Sequence, residues 1–338
     1  MDDGLSPLLH PARPLWQRLM AEAISRPAEL LAALDIDPAW PALAAEKLRD
    51  FPIRVPRGFV ARMRRGDPLD PLFLQVWPSP REAEDAPGYT ADAVGDLAKL
   101  KGGGLIHKYV GRALVISTGA CAVNCRYCFR RHFPYSDALG SRGHWRETLA
   151  SLDADHSIEE VILSGGDPLA LADDKLAEFV AALEARPWIK RLRLHTRVPV
   201  VLPERVDEQL LGWLNATRLQ KVVVLHVNHE NEIDDAVVAA CAKLKAAGAT
   251  VLNQAVLLRG INDSADAQAR LSERCFAAGV LPYYLFVLDR VAGAAHFDVS
   301  ESQAQALMKA LAARLPGYLV PRLVREIAGQ PAKTLLPW

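Results

Sequence analysis

The chain has no surplus of charge of either sign: 40 lysines and arginines stand against 40 aspartates and glutamates. Affinity for a phosphate backbone needs a basic excess, so no nucleic-acid partner is expected. It also lacks any apolar run approaching the ~20 residues that cross a bilayer, and no membrane span is expected. The opening, MDDGLSPLLHPARP, has neither the basic nor the apolar region of a secretory leader, which makes a cytoplasmic location the expectation. Cysteine is scarce. Five are present, three of them clustered, which is a poor disulfide framework and a good metal site in a reducing compartment. Cys241 and Cys275 fall in helical patterns and read as buried, inert side chains.

At 338 residues the chain is long for a single domain, although single α/β barrels reach this size, so one large domain with an appendage is expected. Residues 1–95 read as short helices split by prolines, followed by a Pro/Arg/Asp-rich wrapping segment. From about residue 113, β-branched runs alternate with amphipathic helical stretches. The runs are 113–119, 159–167, 191–197, 221–228, 250–258 and 281–289, and several of the helices between them end at glycine. Six β/α units in succession imply a parallel sheet, either open and doubly wound or curled into a partial barrel. Each run ends in polar groups: the cysteine loop, then Ser164 to Asp167, His195 and Arg197, His226 and Asn228, Asn253 and Gln254, and Asp289. Turn and cap chemistry explains any one of these alone. Six in a row on one rim favour a site, because parallel β/α folds place function at the carboxyl ends of their strands.

The loop TGACAVNCRYCFRRHFPY sets Cys121, Cys125 and Cys128 in a C-x3-C-x2-C array directly after the first run. One reading is structural zinc, closed by His132. Another is a four-iron cluster with three protein ligands and one iron left open to an exogenous donor. Arginines 126, 130 and 131 crowd the loop and suit thiolates or an anionic substrate.

This array, with SGGDPL after the second run, resembles the radical S-adenosylmethionine (SAM) superfamily. Within it, CAVNCRYCFRRHFPY, HKYVGRALV, HVNHENEID, LNQAVLLRGIND and YYLFVLDRVAGAAHF are similar to lysine 2,3-aminomutases, from about residue 50 to the end. The N-terminal segment is similar to the branch that supplies (R)-β-lysine for modifying elongation factor P. The resemblance implies an α/β fold, a partial (β/α)6 TIM-like barrel over 96–317, with an N-terminal helical segment at 1–95 and a C-terminal segment at 318–338 closing the mouth. It implies a [4Fe-4S] cluster on Cys121, Cys125 and Cys128. SAM would complete the open iron and meet Ser164, Gly165, Gly166, Asp167, His226 and Gln254. Pyridoxal 5'-phosphate (PLP) would be held covalently by Lys333, with Lys108, Tyr109 and Arg112 near its phosphate. Arg130 falls on the position that pairs with the substrate carboxylate, and Asp289 and Glu326 on those that grip the distal ammonium of lysine. Glu326 is one methylene longer than the aspartate of the catabolic enzymes, and Leu335 replaces a proline that commonly follows Lys-Thr. The implied enzyme is an isomerase that converts L-α-lysine to (R)-β-lysine by 2,3-amino migration. It would need an external one-electron reductant, and its product would reach elongation factor P through a lysyl ligase.

Overall fold

The six apolar runs all form strands, within a sheet of ten. The computed structural model describes residues 13–40, 51–139 and 144–338, so most of the opening stretch read above lies outside it. The strands are β1 (Leu100–Lys101), β2 (Leu105–Tyr109), β3 (Arg112–Thr118), β4 (Glu160–Gly165), β5 (Arg191–Thr196), β6 (Gln220–Leu225), β7 (Thr250–Val256), β8 (Leu281–Phe286), β9 (Arg322–Arg325) and β10 (Thr334–Leu335). Their spatial order is their sequence order. From β3 to β9 every neighbouring pair is parallel. Right-handed crossovers between successive parallel neighbours all return on one side. Helices therefore cover one face, and the other becomes the concave wall of a partial barrel, which decides between the two sheet geometries left open by the sequence.

Alternation along β5 shows the two faces. Leu192 and Leu194 are buried towards the helices, whereas Arg193 and His195 turn inwards to the cavity. Three of the helices behind begin at side-chain caps, with Asp207, Asp234 and Ser264 accepting from the backbone N–H groups of Leu210, Val237 and Ala267. Gly248 and Gly279, at φ +78° and +76°, end two of them in the left-handed conformation that glycine adopts without strain.

Two strands at each edge were not expected from the sequence. Lys108, Tyr109 and Arg112 lie on an antiparallel β2–β3 hairpin that turns at Val110 and Gly111. At the other edge β9 extends the parallel sheet past residue 317, and β10 folds back antiparallel onto it. The tail is thus part of the sheet. The described part of the N-terminal segment shares the core of the sheet: Trp16, Ile24, Phe59 and Phe73 belong to the same continuous cluster as the outer face of β3–β8. Trp16 lies under the Arg205 guanidinium at 4.4 Å, and Ile24 bridges Val55. Among the described residues no helix is long and apolar enough to cross a membrane.

Candidate active site

A cavity of about 430 Å³ occupies the concave side of the sheet. Every residue to which the resemblance gave a cofactor or substrate role lines it, from Lys108 on the β2–β3 hairpin to Lys333 just before β10. His132 does not. Its ring is exposed and its Nε2 lies 3.0 Å from the Ala292 carbonyl oxygen. Among the described residues no three His, Cys, Asp or Glu side chains converge on a point suited to a single metal ion. His132, turned to the Ala292 carbonyl, does not close a Cys3His site with the three cysteines in this structure.

The cysteine loop leaves the end of β3 and is tied to the end of β4. Gly166 N–H donates to the Thr118 carbonyl at 2.6 Å and Asp167 N–H to that of Ala120 at 2.8 Å. This approach needs glycine. A Cβ on Gly166 would overlap the Ala120 carbonyl oxygen, and Gly165, at φ +118°, would set one 2.8 Å from the Thr118 oxygen. The Asp167 carboxylate accepts from Thr196 Oγ1 at 2.7 Å and from the N–H groups of Leu169, Arg197 and Val198, so it fastens β4 to β5. Burial pushes the Cys128 thiol up to about 11 and the Cys121 thiol well above its ordinary range, aided by the other sulfurs. A metal centre would have to displace those protons. Cys125 differs in having a cation on its sulfur, Arg197 Nη1 at 2.8 Å.

On the inner wall, Gln254 Nε2 lies 3.1 Å from His226 Nε2, and the His195 and His226 rings meet edge to face at 5.9 Å. Burial drives His226 down to about 3 and His195 well below the usual histidine value, so both are neutral. Gln254 Oε1 and His195 Nε2 are buried without a hydrogen-bond partner, and both line the cavity. Such atoms call for a polar partner inside it.

The far side of the cavity carries alternating charge. Lys333 Nζ lies 2.7 Å from Glu326 Oε2, and Tyr109 donates its hydroxyl to the other oxygen of Glu326. Burial works to raise the Glu326 pKa, but Lys333, Tyr109 and Lys108 hold it below the ordinary value. Asp289 goes the other way: burial, then the neighbouring Glu326, push it up to about 7. Lys108 bonds Asp96 at 2.6 Å and the Val94 carbonyl at 2.7 Å, while the Arg112 guanidinium lies over the Tyr109 ring at 4.5 Å. Arg130 gives Nε to Asp96 at 2.8 Å and Nη1 to Ser164 at 3.0 Å.

Three residues in this architecture were given no role by the sequence reading. Asp96 bridges Lys108 and Arg130, and Gln75 and Glu232 anchor Arg197. Arg197 and Asn228 stood out only as polar strand ends. The donor set suits the implied groups: three thiols for a cluster, unpaired polar atoms for SAM, and an amine with Lys108 and Arg112 for a phosphorylated aldehyde.

The sequence profile described as the Radical SAM superfamily matches residues 115–269. The chain is 47% identical to L-lysine 2,3-aminomutase of Escherichia coli over 327 residues, which is 96% of this chain and 95% of that protein. It is also 47% identical to L-lysine 2,3-aminomutase of Haemophilus influenzae, covering 95% of each chain. With the enzyme of the same name from Clostridium subterminale it shares 32% over 277 residues, 79% of this chain and 64% of that one.

Proposed function

Because this chain belongs to the lysine 2,3-aminomutase family of radical SAM enzymes, we propose that its cavity isomerises L-lysine with the residues described above in distinct roles. The supporting observation is convergence: residues scattered from 108 to 333 line one cavity. Bound there, a [4Fe-4S] cluster with SAM supplies the unpaired electron that removes an unactivated hydrogen, and PLP supplies an electron-accepting ring for the α-nitrogen.

The protein's part is binding, orientation and exclusion of water. Cys121, Cys125 and Cys128 hold the cluster and leave a position open for SAM. Ser164, Gly165, Gly166 and Asp167 bring the end of β4 against that loop, and His226 and Gln254 offer hydrogen bonds from the opposite wall. Lys333 holds PLP, with Lys108, Tyr109 and Arg112 at its phosphate. Arg130 is fixed through Nε and Nη1, which aims Nη2 at the substrate carboxylate. Glu326 now neutralises the Lys333 ammonium. With that nitrogen committed to the cofactor, Glu326 and Asp289 take the distal ammonium of lysine instead, one cation replacing another. The enclosure keeps water and stray hydrogen donors away from the reacting carbons.

The finer reading is that the product is (R)-β-lysine and that it passes through a ligase to elongation factor P. Its support is the end-to-end overlap with the Escherichia and Haemophilus relatives, against partial coverage of the longer clostridial one. Anaerobic reconstitution with iron, sulfide and PLP, then turnover of L-lysine with SAM and a one-electron reductant, tests the activity. Chiral chromatography is expected to show (R)-β-lysine. Stoichiometric zinc that iron does not replace, or unconsumed lysine, would overturn it. Deleting the gene in its native host should leave elongation factor P without the β-lysyl mass increment.

A further inference from the structure

Arg197 follows the last residue of β5 and is only 5% exposed. Its guanidinium is held by four side chains from three parts of the chain. Nη2 donates to Glu232 Oε2 at 2.8 Å and to Gln75 Oε1 at 2.6 Å, and Nη1 donates to Tyr127 Oη at 2.6 Å and Cys125 Sγ at 2.8 Å. Glu232, itself 0% exposed, is fixed through its other oxygen by the N–H groups of Asn228 and His229 and by Gln75 Nε2. Asn228 Nδ2 closes the ring onto Tyr127 Oη at 2.6 Å.

Burying an arginine is costly unless a carboxylate compensates it, and Glu232 does so. Fold stability alone would be served by those oxygen partners. Directing Nη1 at a sulfur as well, and at the middle cysteine of the three, has a consequence only if that sulfur carries negative charge.

We propose that Arg197, anchored by Glu232, is a positioning residue for Cys125 that sets the rotamer of this cluster ligand and biases the bound cluster towards its reduced state. The inference rests on the reading of Cys121, Cys125 and Cys128 as cluster ligands. Hydrogen bonds and positive charge at cluster sulfurs favour the more negative, reduced form and raise its potential. Glu232 offsets part of that charge. Removing each partner therefore moves the potential in opposite directions, which a purely structural pair would not do.

Wild type, Arg197→Gln, Arg197→Lys and Glu232→Gln are reconstituted anaerobically with iron and sulfide, without SAM or PLP. Iron content is measured, and the reduced-cluster electron paramagnetic resonance signal is followed in a mediated dithionite titration. The expected result is a downward shift of midpoint potential in Arg197→Gln, a smaller downward shift in Arg197→Lys, which keeps the charge, and an upward shift in Glu232→Gln. An Arg197→Gln potential equal to wild type, or shifts of one sign in all variants, overturns the proposal. If Arg197→Gln loses its folded circular dichroism spectrum, Glu232→Gln decides, and a potential at or below wild type overturns it. A wild type that takes up no cluster overturns the reading of the cysteines themselves, a different and visible failure.

Discussion

Lys333 and Asp289 carry the most exposed parts of the account. Lys333 stands five residues from the end of the sequence, where a lysine is ordinarily a solvated charge, yet its amine lies in the cavity on Glu326. Lys333→Ala is expected to lose the borohydride-reducible PLP adduct while still taking up iron and sulfide. An adduct that persists in this variant would place the cofactor on another amine. Asp289 makes a prediction about pH. Its carboxyl is raised from 3.8 to about 7 in the fold, so between those values the folded state keeps a proton that the unfolded chain gives up. Stability of the cofactor-free protein therefore falls as pH rises through that window and stays lower above it. Asp289→Asn should raise Tm by roughly 2–4 °C at pH 8 and leave it unchanged at pH 4, read by calorimetry. Lysine binding needs the ionised carboxylate, and burial holds that carboxyl above its ordinary value, so kcat/KM of the wild type should fall on the acid side of its profile. An unchanged Tm at pH 8, or a flat profile, would count against the role.

At the scale of elements, the site depends on two short joints. The first is the stitch between β4 and the cysteine loop. Gly166→Ala would push against backbone that has no room to move, and a loss of ~1–3 kcal/mol with reduced cluster occupancy is expected. Gly212→Ala, inside a helix with nothing within 4 Å of the new methyl, is the control that should leave iron content unchanged and raise stability by about 0.5–1 kcal/mol. The second joint is the tail. β10 pairs Thr334 with Arg325 and Leu335 with Val324, and Leu336 is 8% exposed against the core. The Leu335 side chain points to solvent at 61% exposure, so it adds no packing to the tail. Leu336→Asp should release the tail, with loss of the PLP adduct and retention of the cluster. Loss of both would show that the tail supports the whole fold. The six central strands and the cysteine array were legible because β-branched runs and ligand spacing are local signals. The edge strands were not, since β1 and β10 have two residues each and owe their conformation to the neighbour they pair with. Gln75 follows a four-residue helix and Glu232 ends a three-residue 3-10 turn. Neither has periodicity, and Gln75 meets Arg197 across 122 residues of sequence.

Across the whole molecule, sequential parallel winding places the helices outside and leaves the inner wall to polar side chains, while the N-terminal segment and tail share the core and complete the enclosure. Alternation on β5 turns His195, read in the sequence only as part of a polar strand end, inward together with Arg193, which the sequence reading did not single out. The cavity brings three thiols, a lysine amine, two carboxylates and an arginine together, and their joint use is the central claim. The most direct test follows the α-nitrogen. L-lysine labelled with nitrogen-15 at the α-amine is incubated anaerobically with the reconstituted protein, SAM, PLP and reductant, and the product is examined by nuclear magnetic resonance. The account predicts label on carbon 3 of (R)-β-lysine, none released as ammonia, and no product from Lys333→Ala. Label lost to solvent, or lysine recovered unchanged from a cluster-loaded wild type, would contradict it.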